Sequence, residues 1–143
     1  MPYVAEHEVV APDGATLDEI TARMGPPPWR VPLIASPALR AVLWSWPAAY
    51  VSVPHAHPRA EEMFHVLAGQ ATFAFAGEPD RTAGPGAVLV ARRGVEHAIR
   101  VIGDEAFVML IVVAPNEDAP DETIETPRRP GGAPEPVSDP GGA

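Results

Sequence analysis

Two histidines and a carboxylate lie close enough together in this chain to share one ion. The stretch reads His55-Ala-His57-Pro-Arg-Ala-Glu61-Glu62-Met-Phe-His65-Val-Leu-Ala-Gly69. Histidines one residue apart project to the same side of an extended strand, because side chains alternate with period two. A proline-led turn follows His57, and it lets the chain fold Glu62 back towards them. Two imidazoles and a carboxylate converging from adjacent strands make three legs of a transition-metal site. Glu61 is the neighbouring carboxylate, and on a strand it points to the opposite face from Glu62. His65 also faces away by alternation and reads as a packing or interface residue. His7 stands in no comparable pattern and reads as an ordinary surface or core histidine.

Such a site has to be held by strands, and the chain reads as a succession of them. Tyr3 to Val10 has strand character and ends at the turn signal Pro12-Asp13-Gly14. Thr16 to Met24 reads as one or two helical turns, with Thr16 as N-cap, Glu19 closing a capping box, and Gly25 and three prolines stopping it. Leu39 to Trp46 is a strand ended by Pro47, with Trp44 and Trp46 on one face, and Tyr50 to Pro54 leads into the histidines. Met63–Ala68 and Gln70–Ala76, separated by Gly69, have the spacing of a hairpin with Phe73 and Phe75 on one face. Thr82 to Gly86 reads as a turn, Ala87 to Ala91 as an apolar strand, Gly94 to His97 as a tight corner, and Ala98 to Ile102 as a strand. Ala106 to Val113 is apolar throughout, which predicts a strand buried on both faces. Strands at this spacing with Gly/Pro turns between them predict an all-β sandwich or barrel.

Composition narrows the function classes. At 143 residues the chain accommodates one ordinary domain, and 46% hydrophobic content predicts an ordered core. The absence of cysteine excludes disulfides, thiolate ligands and thiol nucleophiles. A net charge of −9 argues against nucleic acid as a partner. The longest apolar run, Ala106 to Pro115, is too short to cross a bilayer, and the first residues lack the basic-then-apolar pattern of a leader, so a cytoplasmic protein with no membrane partner is expected. The expected organisation is an arm with a short strand and a helical turn over residues 1–38, a barrel over 39–115, and an acidic Pro/Gly-rich tail over 116–143. Residues 121–126 are expected to lie along the body and the chain beyond Arg128 to be mobile.

Downstream, Gly86-x5-Arg92-x-Gly94-x2-His97 joins His55-x-His57-x4-Glu62-x6-Gly69. Together these resemble the two sequence motifs of the cupin superfamily, Gly-x5-His-x-His-x3,4-Glu-x6-Gly and Gly-x5-Pro-x-Gly-x2-His-x3-Asn. The six-residue gap to Gly69 fits Glu62 rather than Glu61. Ala49 stands where the first motif begins with glycine, Arg92 where proline is usual, and Val101 where asparagine is usual. The resemblance covers roughly Val42 to Pro115.

The resemblance implies a double-stranded β-helix, the jelly-roll barrel of the cupins, holding one divalent metal through His55, His57, Glu62 and His97. Those donors suit Fe, Mn, Ni, Co, Cu or Zn. It further implies a quercetinase-like, metal-dependent dioxygenase acting on a small oxygen-rich molecule, with Glu62 as catalytic base. Redox-neutral chemistry (isomerase, cyclase or decarboxylase) and non-catalytic small-ligand binding are the alternatives on the same barrel. A homodimer is expected. Trp44, Trp46, Tyr50, Phe73, Phe75, Met109 and Ile111 are candidates to shape a substrate pocket, with core packing as their common alternative.

Overall fold

The structure is a computed structural model and describes residues 14–117. The strand expected over Tyr3–Val10, His7, and the arm and mobile tail expected after residue 117 lie outside the described residues. Helix α1 (Leu17–Met24) opens as its sequence dictates. Thr16 Oγ1 accepts from the Glu19 N–H at 3.1 Å, and Glu19 returns the bond by accepting from the Thr16 N–H at 2.8 Å. Eight strands follow: β1 (Trp29–Ala35), β2 (Arg40–Trp46), β3 (Glu61–Ala68), β4 (Gln70–Phe75), β5 (Arg81–Ala83), β6 (Val88–Ala91), β7 (His97–Ile102) and β8 (Phe107–Ala114).

They form two antiparallel sheets, one ordered β1-β2-β8-β3-β6 and the other β5-β4-β7. The fold is a double-stranded β-helix. Strand alternation sorts each sequence onto two faces. On β8, Phe107, Met109, Ile111 and Val113 point between the sheets, while Val108 and Leu110 face outward beneath α1 with Ile20, Met24 and Leu43. The unbroken apolar run of β8 follows from this, since both of its faces are covered. The inter-sheet core is aromatic, with Trp44, Trp46, Phe64, Phe73 and Phe107 all buried. Trp46 packs 4.3 Å from the Tyr50 ring, centroid to centroid, and 6.1 Å from Phe107. No helix among the described residues is long and apolar enough to cross a membrane.

Three expectations change. The hairpin across Gly69 does not form: β3 pairs with β6 and β8, whereas β4 pairs with β5 and β7. Gly69 carries the chain from one sheet to the other at φ 76°, and a Cβ there would meet the Ala106 carbonyl oxygen at 2.5 Å. A single left-handed residue against a neighbouring backbone makes a corner, whereas a hairpin loop needs at least two residues. Thr82 and Ala83 belong to β5, which leaves the turn to Gly84–Gly86. Residues 29–35, read as part of an arm, form the edge strand β1 along β2.

Candidate metal centre

Each candidate ligand is set by a different backbone device. Residues 50–55 run beside β7 without forming a full strand. Val101 N–H donates to Tyr50 O at 2.8 Å, Ser52 N–H donates to Ile99 O at 2.9 Å, and Ser52 Oγ accepts from the Ile99 N–H at 2.8 Å. This zipper ends in a two-way bridge, His55 N–H to His97 O at 3.1 Å and His97 N–H to His55 O at 2.9 Å. His55 and His97, 42 positions apart, thus face each other with ring centroids 4.3 Å apart. The two upstream histidines therefore sit on a bridged, extended segment rather than a regular strand. The corner expected at Gly94 is present, with Gly94 at φ 77° donating to His57 O at 2.8 Å.

Alternation on β3 places the two carboxylates on opposite faces. Glu62, Phe64 and Val66 point inward and are buried, while Glu61 is exposed and His65 shares its outward face. Glu62 Oε1 lies 2.9 Å from His97 Nε2 and 3.1 Å from His57 Nε2. His55, His57, Glu62 and His97 each offer one ligand atom, all within 4.8 Å of one another. His65 and Glu61 stay outside this group, as alternation requires.

The hydrogen bonds on the far side of the rings fix which nitrogens face inward. His55 Nδ1 is 2.9 Å from Val53 O and His97 Nδ1 is 3.2 Å from Val95 O. Carbonyls only accept, so these Nδ1 atoms carry the hydrogen and each Nε2 presents a lone pair. His57 Nδ1 is 3.3 Å from Glu117 Oε1, another acceptor. The Nε2 atoms of all three histidines and both Glu62 oxygens are buried, and none makes a hydrogen bond. The short separations to Glu62 are therefore ion-pair distances outside hydrogen-bond geometry. Lone pairs facing one another at about 3 Å in an apolar interior are unfavourable unless a cation sits between them. Three neutral imidazoles and one carboxylate are borderline-to-hard donors that match a first-row divalent ion, so the residues fit the metal.

Without an ion between them, burial and neighbouring groups shift the protonation of Glu62, His57 and His55. Burial pushes the Glu62 carboxyl up, but the close approach of His57 and His97 outweighs it and holds the group below the usual carboxylate range. Burial also disfavours charge on His57, and the carboxylates of Glu62 and Glu117 overcome it and raise that imidazole. His55 is lowered, first by burial, which the Val53 carbonyl only partly offsets. Glu62 and His97 form the deep side of the site, while His55 and His57 are partly exposed, so access is from the His55–His57 side. Phe64 and Phe75 wall the deep side, with ring centroids 5.5 and 6.2 Å from His97. Of the candidate pocket residues, Trp44, Trp46, Phe73, Phe75, Met109 and Ile111 are buried in the inter-sheet core, and Tyr50 is partly buried against it.

The motif spacing, barrel and converging donors agree with one comparison: the cupin domain family model matches residues 42–113. The chain belongs to the cupin superfamily. Among characterised relatives it is similar to dimethylsulfoniopropionate lyase DddQ of Ruegeria pomeroyi, 38% identical over 78 residues. That match covers 54% of this chain but only 38% of the lyase, so this cupin aligns with well under half of that protein. The crystal structure of the same lyase superposes with a TM-score of 0.57 at 32% identity, covering 64% of this chain and 48% of that one. KdgF from Halomonas sp. superposes with a TM-score of 0.57 at 25% identity, over 62% of this chain and 81% of its own. The Bacillus halodurans protein BH2720 has a TM-score of 0.64 over 85% and 93% of the two chains, and at 16% identity it speaks for the fold alone.

Glu117 is the residue that sequence reasoning missed. Its position follows from the register of β8 against β3, where Ala114 pairs with Glu61, so the chain just beyond β8 passes residues 57–60. No spacing rule within the sequence carries that information.

Proposed function

We propose that this cupin is a metal-dependent enzyme acting on a small oxygen-rich organic molecule, and that its chemistry is redox-neutral. The observation that carries the metal reading is the set of buried, unbonded donor atoms on His55, His57, Glu62 and His97. One anionic carboxylate and three neutral imidazoles leave a divalent ion with net positive charge, which favours a substrate presenting an anionic oxygen. The bound ion supplies Lewis acidity to a chelating oxygen pair. Phe64 and Phe75 restrict water on the deep side, which strengthens every charge interaction there. Glu62 accepts the proton from the carbon beside the chelating group, and the C–H electron pair passes into a new C=C bond as the adjacent carbonyl oxygen takes up the charge. A carboxylate is ionised at neutral pH and is a weak base, so only an acidified carbon suits it.

The similarity to a lyase supports redox-neutral chemistry over the dioxygenase that the motifs alone imply. The same four donors serve either reaction, so oxygen separates the two readings. Metal-loaded protein is assayed with 2-hydroxy and 2-oxo acids, enediols, flavonols and dimethylsulfoniopropionate, with and without dioxygen. Turnover that proceeds anaerobically at an unchanged rate is expected. Turnover that stops without dioxygen and consumes it stoichiometrically would return the assignment to an oxygenase, and ligand binding without turnover would leave a binding module.

A homodimer accompanies this reading. Val88 and Val90 on β6 are 56% and 40% exposed, opposite His65 and Met63 on β3, and they extend the apolar outer face that α1 covers at the other end of the sheet. A second copy of this chain covers them.

A further inference from the structure

We propose that Glu117 is a positioning residue for the metal centre: it fixes His57 with its hydrogen on Nδ1, holds the turn after it, and so sets how tightly the site binds its ion. This rests on the metal reading above. The three histidines are supported unequally. His55 and His97 each lean on the carbonyl two residues earlier, Val53 and Val95. The corresponding carbonyl for His57 belongs to His55, and it already accepts from the His97 N–H in the bridge that joins the two motifs. Glu117, 60 positions away, takes that role.

Both of its oxygens are engaged. Oε1 lies 3.3 Å from His57 Nδ1, and Oε2 accepts from the Arg59 N–H at 2.6 Å. The carboxylate is 13% exposed and His57 11%, so solvent competes little with the contact. A carboxylate acceptor makes a stronger bond than a neutral carbonyl and increases the electron density at the opposite ring nitrogen. The Arg59 contact pins the backbone just after His57, so one side chain sets both the ring's tautomer and its place. Outer partners of this kind change metal affinity about 10–100-fold when removed.

The experiment uses the full chain with Zn(II) as probe and a chromophoric chelator as competitor. It compares wild type, Glu117→Ala, Glu117→Asp and His57→Ala, with thermal melts of the metal-free forms alongside. Wild type is expected to bind one equivalent, Glu117→Ala to bind about 10–100-fold more weakly, and Glu117→Asp to recover part of the loss. The tautomer is read without metal, by ¹⁵N imidazole correlations above the imidazole titration range. His57 is expected to lose its Nδ1–H preference in Glu117→Ala while His55 and His97 keep theirs. A general loosening of the fold would move all three rings together and overturn the proposal. So would Glu117→Ala binding within twofold of a wild type that takes one equivalent. A folded wild type that binds no Zn(II) overturns the metal reading instead, and the unchanged or changed tautomer of His57 then decides the role of Glu117 by itself.

Discussion

Glu62 concentrates the consequences at the residue scale. It is 1% exposed, lies within 3.1 Å of two imidazole nitrogens, and supplies the only carboxylate among the four converging donors. Its folded-state pKa lies below the ordinary value of 4.5. The metal-free fold therefore gains stability from ionised Glu62 above the unfolded pKa. That contribution is lost as pH falls from about 4.5 through the lower folded value. Glu62→Gln removes the titrating group, so the acid limb of stability flattens. Urea unfolding of chelator-treated protein between pH 3 and 7 checks this (roughly the carboxylate range), and parallel acid limbs for both proteins would contradict it. The inward face of Glu62, opposite to that of Glu61 and His65, was legible in the sequence because strand period fixes the face. Glu117 was not, because its contact depends on pairing between strands far apart in the chain.

At the scale of elements, corners matter more than strands. Strands β3, β4, β6, β7 and β8 were visible as apolar runs bounded by glycine or proline, and α1 was visible down to its capping box, whereas the short polar β5 was read as part of a turn. Pairing was harder to read. Two strands joined by one glycine look like a hairpin in sequence, and only the sheet-to-sheet step at Gly69 shows why that glycine stands alone. Strand β1 escaped notice because its Pro32 and flanking prolines mask the pattern, and an edge strand tolerates them. Ala49 adopts φ 68°, so the chain keeps the left-handed corner where the superfamily motif has glycine. Gly69→Ala is expected to cost about 2–3 kcal/mol, from left-handed strain together with contact against the Ala106 carbonyl. Denaturant midpoints at unchanged slope measure it, and a loss under about 0.5 kcal/mol would show that the corner relaxes freely.

For the whole molecule, the two sheets bring residues from the 50–60 segment, β3 and β7 to one point. The barrel and its four donors were readable from spacing, while reaction and assembly were not, because superfamily folds host many chemistries. Small-angle scattering at micromolar concentration is expected to give a dimer mass that falls to a monomer in Val88→Asp/Val90→Asp, and a monomeric wild type would remove the dimer from this account. The central claim is the metal itself. Elemental analysis of untagged full-length protein, purified without chelator, is predicted to find about one equivalent of a first-row transition metal per chain, largely lost in His57→Ala. A folded wild type that carries no metal, and takes up none when offered Fe, Mn, Ni, Co, Cu or Zn, would contradict it.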